Sequence, residues 1–91
     1  MITNTQVTLG TVAQQIVGPS VNPQRVYLDS QETGTSRKAY FGASNISTTN
    51  GPHLGARENT YITLNRGEAL YAVGDPAGIV LAVMRQTLDD A

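Results

Sequence analysis

Any catalysis by this chain would centre on His53, its only histidine. Hydroxyls that a histidine base could activate stand at Ser44 and Ser47, and Asp75 is a carboxylate that could orient it. Nucleophilic catalysis needs those three roles to converge within hydrogen-bond reach. The sequence offers no G-x-S-x-G elbow or comparable motif to bring them together. His53 follows Pro52 in a polar stretch, the setting of an exposed loop histidine. Metal chemistry has no ligand set either: one histidine, no cysteine and no D-x-D-x-D-G loop. Asp89-Asp90 reads as a solvated chain end. There is no G-x-G-x-x-G or Walker stretch to cradle phosphate. The residues point away from an enzyme and call for no cofactor. Asn45-Ile46-Ser47 matches a glycosylation acceptor by coincidence, and Arg66-Gly67-Glu68 is explained by a tight hairpin.

Aromatic chemistry is the other possibility. Tyr27, Tyr40, Tyr61 and Tyr71 could stack against sugars or bases. Each lies inside a run whose neighbours already alternate. The sequence therefore favours packing within the fold, with the hydroxyls at its rim.

The elements that must hold these residues are strands. Ninety-one residues make one domain with a modest core, for which partners or self-association add stability. Thr, Val, Gly, Asn and Ser are frequent, and no window carries a 3.6-residue apolar period. The net charge is −1 and the isoelectric point about 5.6, with basic residues scattered among acids. That excludes the concentrated positive patch of a nucleic-acid binder. The longest apolar run, Ile79 to Met84, is far short of the roughly 20 residues a membrane helix needs. The first ten residues lack the basic and apolar regions of a signal peptide, so synthesis in the cytoplasm is expected. Without cysteine there are no disulfide staples.

Strands are predicted over 6–9, 12–17, 25–30, 37–42, 59–64, 68–73 and 78–86. Val7 and Leu9 share one face, as do Val26 and Leu28 opposite Tyr27, Ala39 and Phe41 opposite Tyr40, Ile62 and Leu64, and Leu70 and Ala72 opposite Tyr71 and Val73. Turn residues separate them: Gly18-Pro19-Ser20, Asn22-Pro23, Glu32-Thr33-Gly34 as a hairpin, and Asn65-Arg66-Gly67 as a second hairpin with Gly67 left-handed. Asn50-Gly51 favours positive φ, and Asp75-Pro76-Ala77-Gly78 forms a turn. Short strands at this spacing predict an all-β fold: a small antiparallel β-sandwich, jelly-roll-like. Residues 1–10 form an N-terminal arm or edge strand, 11–87 the sandwich, and 88–91 a frayed tail. In AYFGASNISTTNG (39–51) the strand ends at Phe41, Gly42 bends the chain, Ile46 pins the connection to the core and Asn50-Gly51 turns it toward Leu54.

The order of NPQRVYL (22–28), AYFG (39–42), ISTTNGPHL (46–54), YITL (61–64) and GEALYAV (67–73), followed by a hydrophobic strand, resembles a small β-sandwich module of tailed-bacteriophage virion proteins. That group comprises capsid decoration (cement) proteins and head-fibre or tail-associated modules. The resemblance runs from about Val12 to Arg85. It departs at residues 30–34, a longer connection than such modules use, and no coiled coil or shaft accompanies it. A stand-alone decoration protein is therefore what the resemblance implies. The expectation is of a protein that sits on the outer capsid surface of the virion and bridges major capsid subunits, as a homotrimer, without nucleic acid or membrane. Partner contacts are expected from Ile2 and Val7, by strand addition, and from Arg57 and Arg66, beside turns. On that view removing residues 1–9 abolishes capsid binding and leaves the sandwich folded. The rival is a tail or head-fibre module that binds host glycans through tyrosines.

Overall fold

The computed structural model describes residues 2–34 and 36–88; the Asp89-Asp90 pair lies outside them. The strands are β1 (Ile2–Leu9), β2 (Gln14–Val17), β3 (Gln24–Ser30), β4 (Lys38–Gly42), β5 (His53–Leu54), β6 (Asn59–Leu64), β7 (Leu70–Asp75) and β8 (Ile79–Thr87). The described residues contain no helix, so the chain is all-β, in two four-stranded antiparallel sheets. Sheet A has the order β1-β8-β3-β6 and sheet B the order β2-β7-β4-β5.

The connectivity follows from one idea. Fold the chain into a long hairpin whose tip lies between β4 and β5, and the pairs are β1·β8, β2·β7, β3·β6 and β4·β5. All four pairs are present. Rolling that hairpin adds β3·β8 and β4·β7, which are present too. This is the jelly roll, two sheets face to face, as the sequence predicts.

Alternation sets the core. The inward positions of β3 (Gln24, Val26, Leu28, Ser30) are all buried, and those of β8 include Ile79, Leu81 and Val83. Leu9, Val17, Ala39, Leu54, Leu64, Leu70 and Ala72 complete the contiguous cluster. Each large aliphatic side chain buried here is worth about 1.5–3 kcal/mol. The buried Gln24 amide is satisfied: its Nε2 donates to the Gly18 carbonyl at 3.0 Å, and Arg85 Nη1 donates to its Oε1 at 3.4 Å.

Several local expectations change. The turns at 32–34 and 65–67 are not hairpins, because β3 and β4 lie in different sheets, as do β6 and β7. Only the β4–β5 connection joins neighbours in one sheet; every other link crosses the sandwich. Gly67 is left-handed as expected, at φ 76°. Neither Asn50 nor Gly51 has positive φ. The turn is instead braced by side chains: Asn50 Oδ1 accepts from the Ser47 amide at 2.8 Å, and its Nδ2 donates to the Asn45 carbonyl at 2.9 Å. Ile2–Leu9 form an edge strand, paired with β8 from Ile2↔Gln86 to Leu9↔Ile79. The Leu9 carbonyl accepts from Gly78 and the Gly10 carbonyl from Gly74, each at 2.8 Å. Leu88 is tied in, its amide donating to the Pro23 carbonyl at 2.9 Å.

One end of the sandwich is fastened by Glu32. Its carboxylate pairs with Arg37 and accepts from the Val80 amide at 2.8 Å, while Arg37 Nη2 donates to the Gly78 carbonyl at 3.3 Å. The Val80 hydrogen bond, then Arg37, hold the Glu32 carboxyl below its ordinary value of 4.5. A carboxyl with a depressed folded-state pKa adds stability above its unfolded pKa and loses it as pH falls through the folded value. Thermal melts should therefore show Glu32→Gln less stable than the parent at pH 7. The gap should narrow as pH drops below about 4.5. A gap constant from pH 7 to pH 3 would remove Glu32 from the acid transition.

Candidate interaction surfaces

His53 and Asp75, the base and the carboxylate of the hydrolytic reading, stand on different strands of sheet B. His53 opens β5 with its ring 5.3 Å from that of Tyr40, so it is exposed but on a strand rather than in a loop. Asp75 lies on β7 in register with Lys38 of β4, two strands across from β5 and two positions along from the Tyr40↔His53 pair. At about 4.8 Å per strand and 3.3 Å per residue, that is more than 10 Å. The Ser47 hydroxyl is 3.0 Å from the Thr49 hydroxyl, inside its own turn. No group of three or more potential metal ligands occurs among the described residues.

None of the four tyrosines points into the core, contrary to the expectation from sequence. Tyr27 and Tyr61 face outward from sheet A and pair in register, with ring centroids 4.9 Å apart. Tyr40 and Tyr71 lie on the outer face of sheet B, where Tyr71 Oη donates to Gln15 Oε1 at 3.3 Å. The sandwich separates the two pairs, so they form no common platform.

Of the four expected contact residues, Ile2 begins β1 and is 59% exposed. Val7 lies on the inward side of β1 and packs against the chain's own core. Arg57 and Arg66 are both exposed, at opposite ends of β6, about 20 Å of strand apart. The structure does not bring them into one patch. Their turns are built alike: the Glu58 carboxylate accepts from the Gly55 amide, and that of Glu68 from the Asn65 amide at 2.7 Å. Arg57 has φ 58°, a left-handed conformation that costs a non-glycine residue about 1–2 kcal/mol. Arg57→Gly should thus raise stability by about 0.5–1 kcal/mol after the extra chain entropy of glycine. A urea titration checks this; a loss of stability would mean that the side chain itself holds the turn.

Charge distribution within the sheets reverses the usual rule. The edge strands ITNTQVTL, QQIV, HL and NTYITL contain no Lys, Arg, Asp, Glu or Pro. The charges of the sheets, Arg25, Asp29, Lys38, Asp75 and Arg85, all lie on the central strands β3, β4, β7 and β8. Soluble domains normally place charge or proline on their edges to prevent strand addition. The sequence leaves residues 1–10 open between an arm and an edge strand and does not show this contrast, since it needs the strand order of both sheets.

No protein-family model matches the chain, and no curated protein matches it. Among solved structures it is similar to a protein of Bacillus endospore appendages, described as forming a novel family of disulfide-linked pili. The TM-score is 0.61 at 16% identity, over 98% of this chain and 87% of that one. The likeness is one of fold.

Proposed function

We propose that this protein is a non-catalytic structural module that works by strand-edge association. Specifically, we read it as a bacteriophage capsid decoration protein, bound outside the mature head and stabilising contacts between major capsid subunits. The observation that carries this reading is the set of uncharged edge strands, which leaves backbone donors and acceptors open to a neighbouring chain. The resemblance of the ordered motifs in residues 12–85 to phage virion modules supplies the assembly. Many weak, repeated contacts over a shell give avidity, and a small domain gains stability from a partner that binds its native state. A homotrimer is the expected arrangement, since closed symmetry satisfies edges pairwise.

A second reading is a self-polymerising fibre subunit, favoured by the fold shared with the appendage protein that forms pili. This chain has no cysteine, so its polymer would be held without disulfides. The deciding experiment is quantitative mass spectrometry of virions purified from the source phage. A copy number near parity with the major capsid protein, or a simple large fraction of it, supports decoration. A few copies per particle points to a tail or fibre position, and absence from particles overturns the virion reading.

A further inference from the structure

The outer face of sheet A carries a hollow of about 190 Å³. Its origin is a step in side-chain size between two cross-strand rows. One row reads Asn4, Met84, Tyr27, Tyr61 across β1, β8, β3 and β6. The next reads Gln6, Ala82, Asp29, Asn59. Ala82 is the only small residue in either row, and it sits between large neighbours. Asn4, Tyr27, Asp29, Ala82 and Met84 all line the space that it leaves.

The lining selects an occupant. Cavities for whole small ligands run about 300–1,000 Å³, so this one suits a single side chain. Its walls combine a tyrosine ring, a polarisable thioether and one carboxylate. Asp29 already accepts from Gln31 Nε2 at 3.0 Å, which leaves most of its acceptor capacity open. Tyr61, 65% exposed, stands beside Tyr27 and extends the aromatic wall. Arg25, the cation of β3 on this face, flanks Tyr27 on the side away from Asp29 and does not line the hollow. Negative charge beside an aromatic face and an apolar wall is complementary to guanidinium. Guanidinium stacks flat on tyrosine, forks onto a carboxylate and brings an apolar stem.

We propose that this hollow is a docking site for an arginine side chain presented by a partner protein. It lies on the open face of the same sheet that offers β1 and β6 as edges, so a partner strand added at either edge has the hollow within reach. The site does not depend on the capsid reading: particle composition tests that reading, and ligand titration tests this one.

The experiment is a two-dimensional amide NMR titration of the full chain with N-acetyl-arginine amide, alongside N-acetyl-lysine amide and methyl glucoside. Saturable shifts centred on Asn4, Ala82 and Met84 are expected, with millimolar affinity and at least threefold preference for arginine over lysine. Asp29→Asn and Ala82→Leu should each weaken binding tenfold or more. Both positions face away from the core, and circular dichroism verifies that the variants fold. Absence of saturation overturns the proposal. So does equal binding to Asp29→Asn, or tighter binding of the glucoside at the same amides, which would make this a saccharide site.

Discussion

A chain lacking residues 1–9 is expected to lose cooperative folding, not merely partner binding. β1 pairs with β8 along its whole length, Leu9 is 1% exposed, and the Leu9 and Gly10 carbonyls anchor the β7–β8 turn. Backbone hydrogen bonds lost with the strand are roughly offset by the entropy of eight residues no longer ordered. Apolar burial therefore decides. Removing Leu9 and Val7 and uncovering one flank of Ile79 and Leu81 forfeits roughly 4–6 kcal/mol at the usual value per side chain. Total stability for 91 residues is about 5–14 kcal/mol at 0.05–0.15 per residue. The truncated chain should show no sigmoidal urea transition. Added peptide of sequence ITNTQVTLG should restore one by reoccupying the β8 edge. A truncation that unfolds cooperatively without peptide would mean that β1 is an appendage after all.

Gly51→Val should destabilise the fold by about 2–3 kcal/mol. Ile46, 8% exposed, lays its Cδ1 where a side chain at position 51 would begin, and the Phe41 carbonyl oxygen lies 3.3 Å from the same point. Overpacking of this kind costs about 1–3 kcal/mol, and the backbone oxygen limits how far the site can relax. The partner is a side chain, so the clash should be coupled to it. Ile46→Ala combined with Gly51→Val should lose less than the sum of the two single changes. Additive losses in a double-mutant cycle would assign the role of Gly51 to its backbone.

That pair also shows what the sequence made legible. AYFGASNISTTNG reads as a structural corner pinned to the core by Ile46; Ile46 is buried, but it packs inside the corner against Gly42 and Gly51 and lies outside the contiguous core cluster. The reason assigned to Asn50-Gly51 was positive φ, whereas the actual one is space for a side chain five residues earlier. Strand faces were readable wherever a residue's neighbours alternate, as at Val26-Tyr27-Leu28, because alternation is local. Alternation also puts Tyr27 outside once Val26 and Leu28 are inside, so the tyrosines were misplaced by expectation rather than by pattern. Sheet membership was not readable at 32–34 or 65–67: a tight Gly turn looks the same whether it joins two neighbours or crosses a sandwich. β5 escaped because two residues carry no period. The hollow at Ala82 escaped because its walls come from three strands far apart in sequence.

The pairing of β1 with β8 also has a temporal side. At about 5–20 residues per second of synthesis, Ile79–Thr87 follows Ile2–Leu9 by roughly 4–16 s. Closure of non-local β topologies takes milliseconds to seconds once all parts exist. The waiting time on the ribosome therefore exceeds the folding time, and β1 spends it unpaired. Its composition suits that interval: five of its eight residues are Thr, Asn or Gln, so water solvates a strand that has no charge to protect it.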